Sequence, residues 1–286
     1  MFYIIVGSTI IVILVFVLYN INSKNNNSIY NLVNNNSNNN SNNNSNNNSN
    51  NNNKQEIIDY QELSNDRQQI PKIIIQTWKT QTVPQRYIPL IDSVKKNNPD
   101  YQYLFFTDDD IINFFKLYYP QYLSTYFNLP IVIQRIDFFR YVAIYHYGGF
   151  YLDLDMSVFK SFNSLLDNSC IFPVDEYIDI RLCKYIRYKE FCDKSQNFLL
   201  GQYAFAASPK HPFIKLLIEN IHNNVNKYIK YVDFDSEDYI YKTTGPDFVT
   251  KIYMNYNNKS TIKILDIGRR QYFGDYAKHN YFGTWK

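Results

Sequence analysis

From residue 67 onward the sequence predicts an α/β fold: one open sheet with helices on both faces. Two observations carry this. Short apolar runs of strand length alternate with segments of helical period, and the helical segments are closed by Gly, Asn or Pro. Residues 70–76 (IPKIIIQ) form a buried-strand pattern. Residues 87–97 are helical, and 101–106 form a second strand ending at Thr107 and Asp108. Residues 111–119 and 131–147 read as helices, the second stopped by Gly148 and Gly149. Residues 150–153, 170–174 and 203–207 are strands, 212–229 and 247–255 helices, and 261–267 a last strand. About 220 residues suffice for a single core.

Composition excludes several classes. The 286 residues carry a net charge of only +3, so a basic nucleic-acid-binding face has no support. Cys170, Cys183 and Cys192 form no C-x-x-C pair, which argues against a structural zinc site. A Cys183–Cys192 bridge and three free thiols are both compatible with the spacing. No G-x-G-x-x-G follows the first strand and no G-x-x-x-x-G-K-[ST] occurs, so dinucleotide and P-loop readings fail.

Before this region the chain changes character. Residues 2–19 are an uncharged, largely apolar run, roughly 27 Å long as a helix and enough to cross a bilayer core. With no basic segment before it and no small-residue cleavage site, residues 1–20 read as an uncleaved single-pass anchor rather than a signal peptide. Residues 21–66 are rich in Asn and Ser, with little to bury against the entropy of ordering, and read as a disordered stalk. The NNNS register creates N-x-S sequons at Asn26, Asn35, Asn39, Asn43 and Asn47, as such a repeat does by chance. Three segments result: anchor 1–20, stalk 21–66 and globular domain 67–286. The anchor's orientation is open between the secretory-pathway lumen and a viral or host membrane.

Chemistry concentrates at residues 148–155 (GGFYLDLD). Of three Asp-x-Asp pairs, Asp233/Asp235 lies in an acidic run and reads as solvated surface. Asp108/Asp110 stands between a strand and a helix, where Asp caps and suits the macrodipole. Asp153/Asp155 ends an apolar strand, on which residues i and i+2 share a face. Two readings stand for it: a water-facing strand end, or a pair joined by a cation, for which hard oxygen ligands suit Mn²⁺ or Mg²⁺. In the preceding helix Asp137 and Arg140 stand at i and i+3 on an otherwise apolar segment. They form either an intrahelical ion pair or a carboxylate–guanidinium pair aimed at sugar hydroxyls.

Taken in order, these motifs resemble DXD-containing glycosyltransferases of family 32. That family includes yeast initiation-specific mannosyltransferases, inositol phosphoceramide mannosyltransferases and α-1,4-galactosyltransferases, and shares its core motif with clostridial glucosylating toxins. The resemblance covers most of residues 70–286. It runs from IPKIIIQTW at 70–78, with Ile75 where the family usually has His, through NPDY at 98–101, to DFFRY at 137–141 and GGFYLDLD at 148–155. Weaker echoes are PKHPF at 209–213, TGP at 244–246, Gln202 where many members have Asn, and His279 with Gly283, Thr284 and Trp285. It implies a GT-A, Rossmann-like domain binding a UDP- or GDP-hexose. Gln76, Thr77 and Trp78 would meet the nucleotide, with Thr284 and Trp285 closing over the donor. Asp137 and Arg140 would hold the sugar, Asp153 would face ribose and metal-bound water, and Asp155 would ligate Mn²⁺ (or Mg²⁺), with His279 as third contact. His146 and His211 are expected to be structural. The implied reaction is retaining transfer to a glycan or glycolipid acceptor, in which a departing phosphate oxygen takes the acceptor's proton. A metal-dependent phosphohydrolase or nucleotidyltransferase, or a non-catalytic carbohydrate-binding relic, is the alternative.

Overall fold

The computed structural model describes residues 69–228, 237–269 and 271–283. The predicted anchor and stalk, the Asp233/Asp235 pair, and Thr284 and Trp285 lie outside these residues. Among the described residues no helix is long and apolar enough to cross a membrane.

A mixed sheet organises the chain. Its strands are β1 (Ile73–Thr77), β2 (Gln102–Phe106), β3 (Gly149–Leu152), β5 (Cys170–Tyr177), β6 (Phe198–Leu200), β7 (Ala204–Ala207) and β8 (Ile262–Leu265). The order is β2-β1-β3-β7-β5-β6, with β8 beside β5. β1 runs parallel to β2 and β3, and β5 parallel to β8; β7 is antiparallel to both β3 and β5. A second, antiparallel sheet joins β4 (Met156–Val158), β10 (Ala277–His279) and β9 (Tyr272–Phe273).

Alternation along the strands makes two cores. Ile75, Tyr151, Phe172 and Phe205 point to one face. There they meet residues of α2 (Asp108–Tyr118), α3 (Pro120–Asn128), α4 (Val132–Tyr147), α6 (Pro212–Tyr228) and α8 (Pro246–Met254). Ile74, Phe150, Leu152 and Ile171 point to the other, against Val94 of α1 (Ile88–Asn97) and against Met156, Phe273 and Ala277 of the small sheet. The expectation of helices on both faces therefore needs correction: one face is covered by helices, the other largely by the second sheet. Strands of two or three residues are too short to show an alternation of their own.

The helix before the acidic motif is fixed by burial and by its end. In α4, Asp137 and Phe138 through Ile144 are all buried, so the helix is enclosed rather than amphipathic. Gly148, at φ 67°, ends it, and Gly149, at φ 90°, begins β3. A Cβ on Gly149 would lie 2.4 Å from the Ile73 carbonyl oxygen, so β3 can pair with β1 there only through glycine. The two glycines thus carry the chain from the helix carrying Asp137 and Arg140 into the strand leading to Asp153.

Shorter elements complete the fold: α5 (Ile186–Asp193), α7 (Glu237–Thr243), and a Cys183–Cys192 disulfide that closes the loop around α5. Cys170 is a buried free thiol. Helix α2 is capped by Thr107 rather than by an Asp of the 108–110 pair: Thr107 Oγ1 accepts from Asp110 N, and Asp110 Oδ2 accepts from Thr107 N. His211 is structural as expected, its Nδ1 accepting from Phe213 N at 3.2 Å at the start of α6. His146 is structural as well. Burial, then the charge of Lys210, lowers its pKa, so it packs among Phe114, Tyr118 and Tyr147 rather than serving as a cation on the helix dipole.

Candidate active site

The acidic motif sits just past the carboxyl end of β3, where ligands of α/β sheets gather. Asp153 and Asp155 do not share a strand face, because β3 ends at Leu152. The chain turns there: Met156 N donates to Asp153 O at 3.2 Å, and Asp153 N donates to Tyr203 O at 2.7 Å. The turn, not the strand pleat, brings both carboxylates to one place. Gln76 holds it. This fully buried amide donates from Nε2 to Asp153 O at 3.1 Å and accepts on Oε1 from Tyr103 Oη at 2.8 Å.

Arg140 joins the helix to the turn. Its Nη2 lies 3.2 Å from Asp137 Oδ1 and 3.3 Å from Asp153 Oδ1, and its Nη1 donates to Gln202 O at 3.0 Å. The guanidinium lies over the Tyr151 ring at 4.6 Å, and Tyr151 Oη donates to Asp153 Oδ1 at 2.9 Å. Asp137, 1% exposed, accepts on Oδ2 from Thr244 Oγ1 at 2.7 Å. Burial pushes the Asp137 carboxyl up to about 6 against the pull of Arg140 and Thr244. Burial also raises Asp153, opposed by Arg140 and reinforced by Asp155.

Asp155 lies the other way. Burial works against its ionisation, but His279 and the Phe282 N–H outweigh burial and hold its carboxyl below the usual range. Its Oδ1 is 3.3 Å from His279 Nε2, and its Oδ2 accepts from Phe282 N at 2.9 Å. Its backbone oxygen accepts from both Asn280 N and Asn280 Nδ2. The His279 ring stacks on Tyr203 at 4.4 Å and lies 4.0 Å from the Tyr281 ring. Pairing of β10 with β4 delivers His279, opposite Met156.

One atom from each of Asp153, Asp155 and His279 lies within 4.8 Å of the other two. Arg140 faces Asp137 and Asp153 while His279 faces Asp155, so three carboxylates share one guanidinium and one imidazole. The buried Nδ1 of His279 and Nε of Arg140 have no hydrogen-bond partner among the described residues. Two carboxylates and an imidazole suit Mn²⁺ or Mg²⁺, so the residues present fit a divalent cation.

Thr77 Oγ1 is 3.5 Å from Tyr151 Oη. Trp78 packs on Tyr87 at 5.0 Å, and Tyr87 on Phe282 at 5.5 Å, so an aromatic wall runs from the end of β1 to the backbone that binds Asp155. Of the residues expected to meet the nucleotide, Gln76 is committed to the turn, while Thr77 and Trp78 border it. Sequence reasoning missed Tyr151 as a site residue, although its i, i+2 spacing from Asp153 was visible. It also missed Tyr203, which no local signal marks among 28 tyrosines.

Residues 84–172 match the glycosyltransferase sugar-binding region containing the DXD motif. Over these residues the chain carries that family's sugar-binding region. Inositol phosphoceramide mannosyltransferase 2 of Schizosaccharomyces pombe is 32% identical over 66% of this chain and 48% of its own length. Inositol phosphoceramide mannosyltransferase 1 of the same yeast is 28% identical, over 70% and 56% respectively. The initiation-specific α-1,6-mannosyltransferase of Candida albicans is 30% identical over 39% of this chain and 31% of its own. The chain thus spans about half the length of the first two relatives. The solved glycosyltransferase PaToxG shares 16% identity at a TM-score of 0.46, covering 67% of this chain and 73% of its own.

Proposed function

We propose that this protein is a metal-dependent retaining glycosyltransferase of GT-A type, moving a hexose from a nucleotide sugar to a glycan or glycolipid. One observation carries this reading: the Asp153, Asp155 and His279 cluster lies directly beside the buried Asp137–Arg140 pair, with Arg140 touching both. A divalent cation held by Asp153, Asp155 and His279 would neutralise the diphosphate as it leaves. Asp137 accepts from sugar hydroxyls and Arg140 donates to them. Trp78 stacks on the nucleotide base, Gln76 keeps the Asp153 turn in place, and Thr77 flanks it. Thr284 and Trp285 close over the donor. A departing phosphate oxygen takes the acceptor's proton, so no protein nucleophile is required.

The relatives' names put mannose first among hexoses to test, and inositol phosphoceramide first among acceptors. We assign residues 67–286 as the catalytic unit, with 1–20 as a membrane anchor and 21–66 as a stalk. The Cys183–Cys192 disulfide favours folding in an oxidising lumen.

The deciding experiment offers the full chain a panel of UDP- and GDP-hexoses with Mn²⁺, and follows hydrolysis and transfer. Sugar release from one donor that stops in EDTA is the expected result. Phosphate release from simple phosphoesters points to a phosphohydrolase, and nucleotide-sugar binding without turnover points to a carbohydrate-binding relic.

A further inference from the structure

The site described so far leaves one nearby carboxylate unused. Val174 pairs with Leu200 and Glu176 with Leu199, so Asp175 is the extra residue of a bulge in β5. A bulge re-aims its side chain out of the strand's alternation, and bulges recur beside active sites. The neighbours of Asp175 are committed elsewhere. The Val174 carbonyl lies 3.4 Å from Tyr203 Oη, and Glu176 Oε2 accepts from Tyr188 Oη at 2.7 Å. Arg187 spends Nε and Nη2 on Asp247, at 2.8 to 3.2 Å. Partly buried Asp175 makes no side-chain hydrogen bond or ion pair among the described residues.

Its electrostatic surroundings point to His279. Burial pushes the Asp175 carboxyl up to about 6, and His279 is the foremost group opposing that rise, ahead of Arg187; Glu176 and Asp247 add to it. Tyr203 lies between the two residues: its ring stacks on the imidazole, and its hydroxyl, which donates to Tyr272 O at 2.8 Å, is 3.4 Å from the Val174 carbonyl. With Nε2 of His279 toward Asp155, Nδ1 projects from the opposite side of the ring, and it is buried without a partner.

We propose that Asp175 is the outer carboxylate of the cation site, accepting the Nδ1–H of His279 through one water. That bond fixes the tautomer whose Nε2 lone pair is free for the cation, and it locks the ring plane. Asp175 is thereby a positioning residue, and its role rests on the metal reading above.

Calorimetric titration of Mn²⁺ into the full chain tests this without any turnover. Asp175→Ala should weaken Mn²⁺ binding about 10- to 100-fold, the usual cost of losing such a partner. Asp175→Asn, which keeps shape and one acceptor oxygen, should fall between Asp175→Ala and wild type, and it carries the test if the alanine variant does not fold. In ¹⁵N NMR with Mg²⁺ bound, the Nδ1–H tautomer of His279 should dominate in wild type and lose population in Asp175→Ala. Mn²⁺ affinity within twofold of wild type in both variants, with His279→Ala clearly weakened, overturns the proposal and leaves the cation site standing. Absence of Mn²⁺ binding by wild type itself overturns the cation site, and this proposal with it.

Discussion

Among the described residues two carboxylate–guanidinium pairs have a buried carboxylate, and they are built differently. Arg187 grips Asp247 with Nε and Nη2, at 2.8 to 3.2 Å, a saturated fork. Arg140 divides Nη2 between Asp137 and Asp153 at 3.2 and 3.3 Å, spends Nη1 on a backbone carbonyl, and leaves Nε with nothing. Between the carboxylates, Asp247 turns both oxygens to its arginine, whereas Asp137 gives one to Thr244 and the other to long contacts from Arg140 and Gln202. A pair that exists to hold elements together closes on itself. The Arg140 pair keeps unspent hydrogen-bonding capacity among the described residues, as the proposed sugar site requires.

The sharpest way to break the comparison lies at the turn that Arg140 contacts. Asp155→Asn should keep the fold and lower kcat/KM by about 10³-fold or more, on the order of 4 kcal/mol in the barrier. Full turnover in that variant, or in EDTA, rejects the cation site.

Next comes the sugar pair. Asp137→Asn should lower turnover by about 10²-fold, roughly 3 kcal/mol, while affinity for the free nucleoside diphosphate barely changes. Steady-state kinetics with calorimetry of the diphosphate decides. Equal loss of diphosphate binding means that Asp137 holds the site together rather than reading the hexose.

The saturated pair should answer in the opposite currency. Asp247→Asn should cost about 2–3 kcal/mol of stability, less than a fully enclosed pair because Arg187 is partly exposed. Its kcat/KM should stay within about twofold. Chemical denaturation and kinetics on one sample separate these outcomes, and a large catalytic loss without destabilisation would erase the distinction drawn between the pairs.

The smallest effect is one of pH. The folded pKa of Asp137, about 6, exceeds the ordinary 3.8, so the fold favours its protonated form. Through this group stability falls as pH rises from 4 to 6 and is regained on acidification. Turnover runs the other way, since sugar recognition needs the carboxylate, and kcat/KM should show an acid limb centred near 6. Asp155, held below 3.8, contributes stability that is present above that value and lost as pH falls through its lowered pKa. An acid limb that survives unchanged in Asp137→Asn assigns it to another group.

Much of this comparison was legible before any coordinates. The enclosed helix 132–147, its Gly-Gly stop and the acidic motif are local patterns, and the motif order was specific. Only the resemblance brought His279 into the site, because the pairing of β10 with β4 leaves no local trace in strands of three residues. Helix α3 was passed over because PQYLSTYFN starts on proline and mixes aromatic with polar residues, a pattern equally suited to a loop. Placing Asp153 and Asp155 on a strand face failed because the apolar run said nothing of where the ladder ends. Asp247 gave no sign of its partner, since Arg187 lies 60 residues away in a charged segment.

Asp155 and the Asn280 side chain that binds its carbonyl are 125 residues apart in the chain. Ribosomes supply residues in order, so the acidic turn leaves the exit tunnel well before its imidazole and tyrosine cover. During that interval the growing polypeptide carries the motif without the groups that make it selective. In the proposed cation site, capture would therefore be a late event in the protein's biogenesis, gated by the docking of one three-residue strand.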